Sequence, residues 1–405
     1  MLLGCAGLSL GCRGTTARRS TRPEAQKLTE PSNPSAPIAR THDPSVGHGN
    51  APPMTMPALF AAFPSLESKL AFEPLGRSTP IARLAELGAR LGLASLYVKR
   101  DDLAAEPYGG NKIRKLAFVL ADARRRGCRR VLTFGGYGSN HALATAVYAN
   151  QLGMQALLLL LPEPNDAHVR HNLLAAKSFG AELRITSPET IDRLVQQTKA
   201  SPLLDDMTYV IPPGGTCFLG NVGYVDAAFE LRVQIEGGQM PEPDVLWVAA
   251  GTLGTAVGLA VGLRAAGLRT RVRAVRTSSL RYVSERAWSH QFGETMSRLR
   301  DLSSAFPQLV FDPASHLLEH GYVGRGYALP TARGRRAAEL TLAAEGLTLD
   351  STYTAKTMAA LMGNAQGMRD KVVLFWHTYD ARSLDIRGLG PSQLPEVFRG
   401  YFADG

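Results

Sequence analysis

The sequence predicts an α/β protein whose parallel sheets carry helices on both faces. Three observations lead there. From residue 79 onward, apolar runs of strand length alternate with amphipathic runs of helix length. The runs Gln155–Leu161 and Val245–Ala250 are mostly apolar, as strands buried on both faces must be. Gly-rich turns separate strand from helix, where open α/β sheets bind ligands.

The elements follow in order. Thr79-Pro80 opens an amphipathic run, Ile81–Leu91, read as one helix with Leu84, Leu87 and Leu91 on a face. Ser95–Val98 reads as a strand, Lys112–Arg125 as a helix and Arg129–Phe134 as a strand. Ser139–Leu152 is a helix, Gln155–Leu161 a strand, Ala167–Phe179 a helix, Glu182–Thr186 a strand and Pro188–Lys199 a helix. A short strand at Val210 precedes a helix over Gly220–Ile235. Then come strand Val245–Ala250, helix Gly254–Ala266, strand Val272–Arg276, helix Tyr353–Leu361 and strand Val372–Trp376. Val245–Leu263 is uncharged, with Gly254, Gly258 and Gly262 spaced as in membrane helix packing. Gly251, Thr252 and Thr255 interrupt it, so strand, turn and helix fit better than a membrane span.

Composition excludes several classes. The 405 residues are 45% hydrophobic and 20% charged, enough for a large core and unlike a disordered, collagenous or disulfide-built chain. Cys5, Cys12, Cys128 and Cys217 form no CxxC pair, which argues against zinc and suits a reducing, cytoplasmic setting. The net charge is +10, but its densest basic cluster, Arg124–Arg130, falls at a helix end without interleaved aromatics, so no nucleic-acid partner is expected. His316-Leu317-Leu318-Glu319-His320 matches a zinc-protease pattern but reads as an ordinary polar helix face, and no metal is expected. Residues 1–53 hold no apolar periodicity after Leu10 and read as a disordered or spurious leader, with translation from Met54 or Met56 as one explanation.

Four loops carry candidate chemistry. Gly109-Gly110-Asn111-Lys112 places a lysine at a helix start, against the helix dipole. An amine of lowered pKa, or one consumed in a Schiff base, removes that conflict. Gly135-Gly136-Tyr137-Gly138-Ser139-Asn140-His141 offers an N-cap and free amides suited to a carboxylate. Gly251-Thr252-Leu253-Gly254-Thr255 follows a buried strand and opens a helix, as a phosphate cradle does, yet is neither GxGxxG nor a P-loop. Leu349–Lys356 brings Tyr353 and several hydroxyls to a helix start, with Ser351 or Thr352 as the simple capping alternative.

With those loops in place, the chain from about residue 70 to 380 resembles the pyridoxal-phosphate enzymes that include 1-aminocyclopropane-1-carboxylate (ACC) deaminase and D-cysteine desulfhydrase. The resemblance rests on Lys99-Arg100-Asp101-Asp102, Gly109–Leu116, Gly135-Gly136, Ser139-Asn140-His141, Pro213-Gly214-Gly215, Gly326–Pro330 and Tyr353-Thr354-Ala355-Lys356, in family order. It implies a two-domain tryptophan-synthase-β-like fold (fold type II): a large domain of residues 54–114 plus 214–405 and a small α/β domain over 115–213. It further implies pyridoxal phosphate on Lys112, Asn140 on the ring oxygen, and Gly251, Thr252, Leu253, Gly254 and Thr255 around the phosphate. Ser139, Asn140 and His141 would take the substrate carboxylate, and Tyr327 and Tyr353 would flank the reacting carbon. A homodimer and a small amino-acid substrate are expected from the same likeness.

Two positions bear on the reaction. The resemblance places Glu in ACC deaminases where this chain has Thr354, and Leu where it has Thr378. A carboxylate beside a pyridine nitrogen favours its protonated form, and a hydroxyl the neutral one. Thr354 and Thr378 therefore point to D-cysteine desulfhydrase-like α,β-elimination, giving a keto acid and ammonia. ACC deamination and a non-catalytic pyridoxal-phosphate protein are the alternatives. The chain departs from the family at Gly138 (usually Gln), Leu143 (usually Arg) and Tyr379-Asp380 (usually two glycines).

Overall fold

A computed structural model describes residues 56–196 and 205–403; the leader expected over 1–53 lies outside them. In chain order the strands are β1 (Ile81–Arg83), β2 (Ser95–Arg100), β3 (Arg130–Gly136), β4 (Gln155–Leu161), β5 (Glu182–Ile185), β6 (Thr208–Val210), β7 (Val245–Ala250), β8 (Arg271–Arg276), β9 (His316–Glu319) and β10 (Val372–His377). They form a six-stranded sheet, ordered β1-β2-β10-β7-β8-β9, and a four-stranded sheet, ordered β5-β4-β3-β6. Only β1 runs antiparallel to its neighbour; the other described pairs are parallel.

Alternation along the strands builds a core on each face. In β7, Leu246 and Val248 join the apolar cluster under helices Phe218–Glu236, Gly254–Ala265 and Glu285–Leu302. Val245 and Trp247 of the same strand face the cluster beneath Ala332–Glu345 and Thr354–Gly363. β4 divides likewise, with Leu158 and Leu160 on one face and Leu157 and Leu159 on the other. Period-two side chains on a doubly covered sheet require this. The C-terminal segment packs with the smaller sheet: Leu384, Leu394 and Phe398 are buried in its core. Phe398 and Tyr401 each place a ring centroid 5.0 Å from that of Tyr137.

The structure departs from the sequence expectation in a few places. Ile81–Leu91 is two elements, β1 and the helix Ala85–Leu91, because Ile81–Arg83 pairs with Tyr97–Lys99. The His316–His320 run is not a helix face; it contains β9, paired to β8. Among the described residues no His/Cys/Asp/Glu group is placed to hold a metal. His316 binds the Asp312 carbonyl, and His320 contacts Glu285 and Arg276. Val245–Leu263 is a strand followed by a helix, and no described helix is long and apolar enough to cross a membrane.

Candidate active site

Both sheets direct the C-terminal ends of their parallel strands toward one cavity of about 280 Å³. Loops after β3, β7, β8 and β10 line it, as do the start of the helix Lys112–Arg125 and residues Tyr327, Asp350 and Tyr353. Of the residues singled out from sequence, Lys112, Ser139, Asn140, His141, Gly251, Thr252, Leu253, Gly254, Thr255, Tyr327, Tyr353 and Thr378 are brought together there. Thr354 is not among the lining residues.

Lys112 is the first residue of its helix. Burial lowers its amine to about 8, against a smaller opposing pull from Asp350. Lys115, one turn on, is almost wholly buried, and burial, reinforced by Lys112, pushes its amine well below the usual range. Its Nζ donates to the Gly214 carbonyl at 3.1 Å. Asn111 Nδ2 donates to Thr255 Oγ1 at 3.1 Å, tying this helix start to the Gly251–Thr255 loop.

That loop is an anion cradle by geometry. Leu253 adopts a left-handed backbone, φ 68°, and turns the chain into the helix Gly254–Ala265. A Cβ on Gly254 would lie 2.8 Å from Lys115 Nζ, from Asn221 Oδ1 and from Thr216 Oγ1, so only glycine admits these groups. Asn221 Oδ1 is buried without a hydrogen-bond partner among the described residues.

On the facing wall, Ser139 caps the helix Asn140–Gln151 by accepting from Ala142 N at 3.2 Å. Asn140 Oδ1 accepts from Tyr108 Oη at 3.1 Å and from Asn172 Nδ2 at 3.3 Å, leaving its own Nδ2 as a donor. Thr133 donates its hydroxyl proton to the Ile211 carbonyl, so it can only accept from His141 Nε2 at 2.9 Å. His141 Nδ1 is then a bare acceptor, and it has no partner among the described residues. Burial, with Lys112 and Lys115 nearby, keeps this imidazole neutral.

Asp350 is the residue that sequence reasoning missed on the opposite side. Its carboxylate accepts from the amides of Thr352, Tyr353 and Thr354 and from Thr354 Oγ1 at 2.6 Å. The N-cap position of the helix Thr354–Gly363 is Tyr353, and the acceptor for its opening amides is Asp350, not Ser351 or Thr352. Thr354 turns its proton toward Asp350, and the carboxylate lines the cavity. Tyr379 also lines it, with its ring 6.0 Å from that of His168. Asp380 points away, accepts from Gly109 N at 2.7 Å and binds Arg382.

A profile of the pyridoxal-phosphate dependent enzymes matches residues 72–378. The chain belongs to that family. It is 34% identical to D-cysteine desulfhydrase of Salmonella newport (strain SL254) over 322 residues, 77% of this chain and 94% of the relative. It is 31% identical to D-cysteine desulfhydrase of Serratia proteamaculans (strain 568) over 334 residues, 79% of this chain and 98% of the relative. A crystal structure of an ACC deaminase homologue superposes with a TM-score of 0.66 at 28% identity, covering 81% of this chain and 96% of that one.

The cavity fits the family's cofactor. The half-buried amine of Lys112 and the buried one of Lys115, neither ion-paired to a carboxylate among the described residues, with a glycine-lined helix start and a donor amide at Asn140, suit an aldehyde, a phosphate dianion and a ring oxygen. The family is pyridoxal-phosphate dependent, and so is this protein.

Proposed function

We propose that the protein catalyses α,β-elimination on a small amino acid, in the manner of D-cysteine desulfhydrase, releasing a keto acid, ammonia and the β-substituent. The observation that carries this reading is the Lys112 amine, poised near 8 between a carboxylate-type loop and a phosphate-type loop. The 34% identity across most of the chain supports the substrate class.

Lys112 would hold pyridoxal phosphate through Nζ, with Asn140 on its ring oxygen. The amides of Gly251–Thr255, helped by Lys115 Nζ, would hold the phosphate. When bound, pyridoxal phosphate supplies the sink for charge left on the α-carbon. The Ser139 hydroxyl and the helix-start amides of Asn140 and His141 would orient the substrate carboxylate, the His141 ring itself offering only an acceptor, and Thr378 lines the substrate side. Lys112 Nζ would be the base for the α-proton, an amine near 8 being mostly able to accept one at mildly basic pH. Tyr327 and Tyr353 flank the reacting carbon, and burial holds both phenols protonated. We assign the small domain to 115–213 and the large one to 54–114 plus 214–405, with the C-terminal segment of the large one packed on the small core, and take the working form to be a cytoplasmic homodimer. Free Cys128 and Cys217 support the compartment, and sedimentation would test the assembly.

The test is a substrate panel on enzyme loaded with pyridoxal phosphate: D-cysteine, O-acylated D-serine and ACC, with keto-acid release as readout. Sulfide and pyruvate from D-cysteine are expected. Asp350 favours the second reading, ACC deamination, because it puts a carboxylate where a protonated ring would be stabilised. Release from ACC alone would select that reading. A coloured protein that turns over none of the three would overturn both.

A further inference from the structure

Asn140 can serve a ring oxygen only if its amide nitrogen, and not its oxygen, faces the cavity, and a side-chain amide has no preference of its own. The choice is made one layer back, on a peptide group. The Gly138 N–H donates to Glu163 Oε2 at 2.8 Å. The Gly138 carbonyl accepts from Asn172 Nδ2 at 2.9 Å and from His168 Nε2 at 3.0 Å. A Cβ on Gly138 would fall 2.9 Å from Val169 Cγ2 and 3.1 Å from Glu163 Oε2, so only glycine lets the helix Ala167–Ser178 come this close. Glu163 Oε1 also lies over Gly136, 1.8 Å from where a Cβ would stand, and the Glu163 carbonyl accepts from Tyr401 Oη at 2.6 Å. The peptide at Gly138 is thus held from both sides.

A carbonyl oxygen can only accept. Gly138 therefore decides which end of the buried Asn172 amide is nitrogen. The same Nδ2 lies 3.3 Å from the Asn140 side chain, so the Asn140 atom that meets it must be Oδ1. Asn140 Nδ2 is left to the cavity that the residue lines. Tyr108 Oη, 3.1 Å from Asn140 Oδ1, does not make this choice, because a hydroxyl donates or accepts as its partner requires. His168 Nε2 lies 3.2 Å from Asn172 Nδ2 as a second donor to the same carbonyl and does not compete for Asn140.

We propose that Asn172 is a positioning residue that relays the direction of the Gly138 carbonyl to Asn140 and so turns the Asn140 donor toward the ring oxygen of pyridoxal phosphate. The proposal rests on the reading in which Asn140 meets that oxygen. A donor there favours the charged form of the oxygen. The reversed amide would set a lone pair against it, losing one hydrogen bond and adding a repulsion.

Asn172→Leu is uncharged, similar in shape and unable to donate. In the full chain, the dissociation constant for pyridoxal phosphate should rise about tenfold, and the pH titration of the loaded protein's visible absorbance should move up by about one pH unit. Asn172→Ala, which adds no bulk beside Asn140, should shift both in the same direction. Tyr108→Phe should change the dissociation constant less than about twofold, since that hydroxyl follows Asn140 and does not fix it. Asn140→Ala should itself produce both shifts, and adding Asn172→Leu to it should produce no more, because Asn172 acts only through that amide. If Asn140→Ala moves affinity and absorbance but the Asn172 variants do not, or if the Asn172→Leu loss persists in the Asn140→Ala background, Asn172 merely braces the loop and the proposal is overturned. If Asn140→Ala moves neither, the placement of Asn140 on the ring oxygen fails first and takes the proposal with it.

Discussion

One helix, Lys112–Arg125, serves two buried clusters of charge and treats them oppositely. Arg114 turns into the large lobe, where Nη1 meets Glu230 at 2.9 Å and Nη2 meets Asp101 at 2.9 Å. Lys99 binds Glu230 at 2.5 Å and Gln234 at 2.6 Å. Tyr224 and Trp376 fill the remaining Asp101 oxygen, each at 2.6 Å. Two cations meet two carboxylates; burial still lowers the Lys99 amine, but Glu230 opposes it directly. Burial would raise the Glu230 carboxyl, but Arg114 and Lys99 outweigh it and hold it well below the usual range. On the cavity side, the half-buried Lys112 and the buried Lys115 form a like-charged pair at i and i+3, and desolvation lowers both amines. The first cluster is complete within the protein and fixes the helix. The second is complete only with an anion and an aldehyde, and its discomfort is what makes the amine reactive.

Breaking the reactive side should have the largest effect. Lys112→Ala should lower turnover by about a thousandfold or more and remove visible absorbance from the purified protein, with thermal unfolding little changed. Breaking the complete side should act on stability. Arg114→Met leaves Asp101 and Glu230 buried without their shared partner, and should cost about 3–5 kcal/mol in urea unfolding. The pH sign follows from Glu230. Its folded pKa is depressed, so its contribution is present above the ordinary carboxylate range and is lost as pH falls through and below that range. Acid unfolding of Arg114→Met should accordingly be flatter than that of the parent.

Lys115→Met sharpens the contrast further. Pyridoxal-phosphate affinity should fall about tenfold to a hundredfold by fluorescence titration, the scale of one charged hydrogen bond. The cofactor-free protein should be no less stable, because a desolvated cation has been removed. The smallest effect is on rate. Capture of pyridoxal phosphate by the cofactor-free protein, followed by stopped-flow absorbance, should quicken as pH rises through about 8, where Lys112 loses its proton. A rate still climbing only near the ordinary lysine range would show an amine that burial has not perturbed.

Legibility in the sequence followed the physics of each element. Lys112–Arg125, Gln155–Leu161 and Val245–Ala250 were readable to the residue, since apolar pattern and flanking turns agree there. β1 was not, because three residues on a sheet edge carry too little pattern and their pairing with β2 is long-range information. Glu285–Leu302 was passed over because its apolar face is broken by charged residues between Trp288, Phe292 and Met296. At the site, glycines and the motif lysine marked the loops. Asp350 was hidden because a capping acid and a cavity acid look alike until the helix start is placed beside the cavity. Glu163 left no signal at all: one acid among prolines acquires meaning only through Gly136, over which it lies, and the Gly138 amide that donates to it at 2.8 Å. Lys115 stood in plain view three residues after Lys112 and could have been found by helical spacing alone.

The C-terminal segment bears on how the gene tolerates damage. A stop codon at Leu384 would spare every residue that lines the cavity, yet it would delete Leu384, Leu394 and Phe398 from the smaller core, and with them the Tyr401 hydroxyl that donates to the Glu163 carbonyl. Such a truncated product would keep both sheets and every nominated active-site side chain while losing the brace of its substrate loop. Inspecting the motifs alone would score that allele as intact.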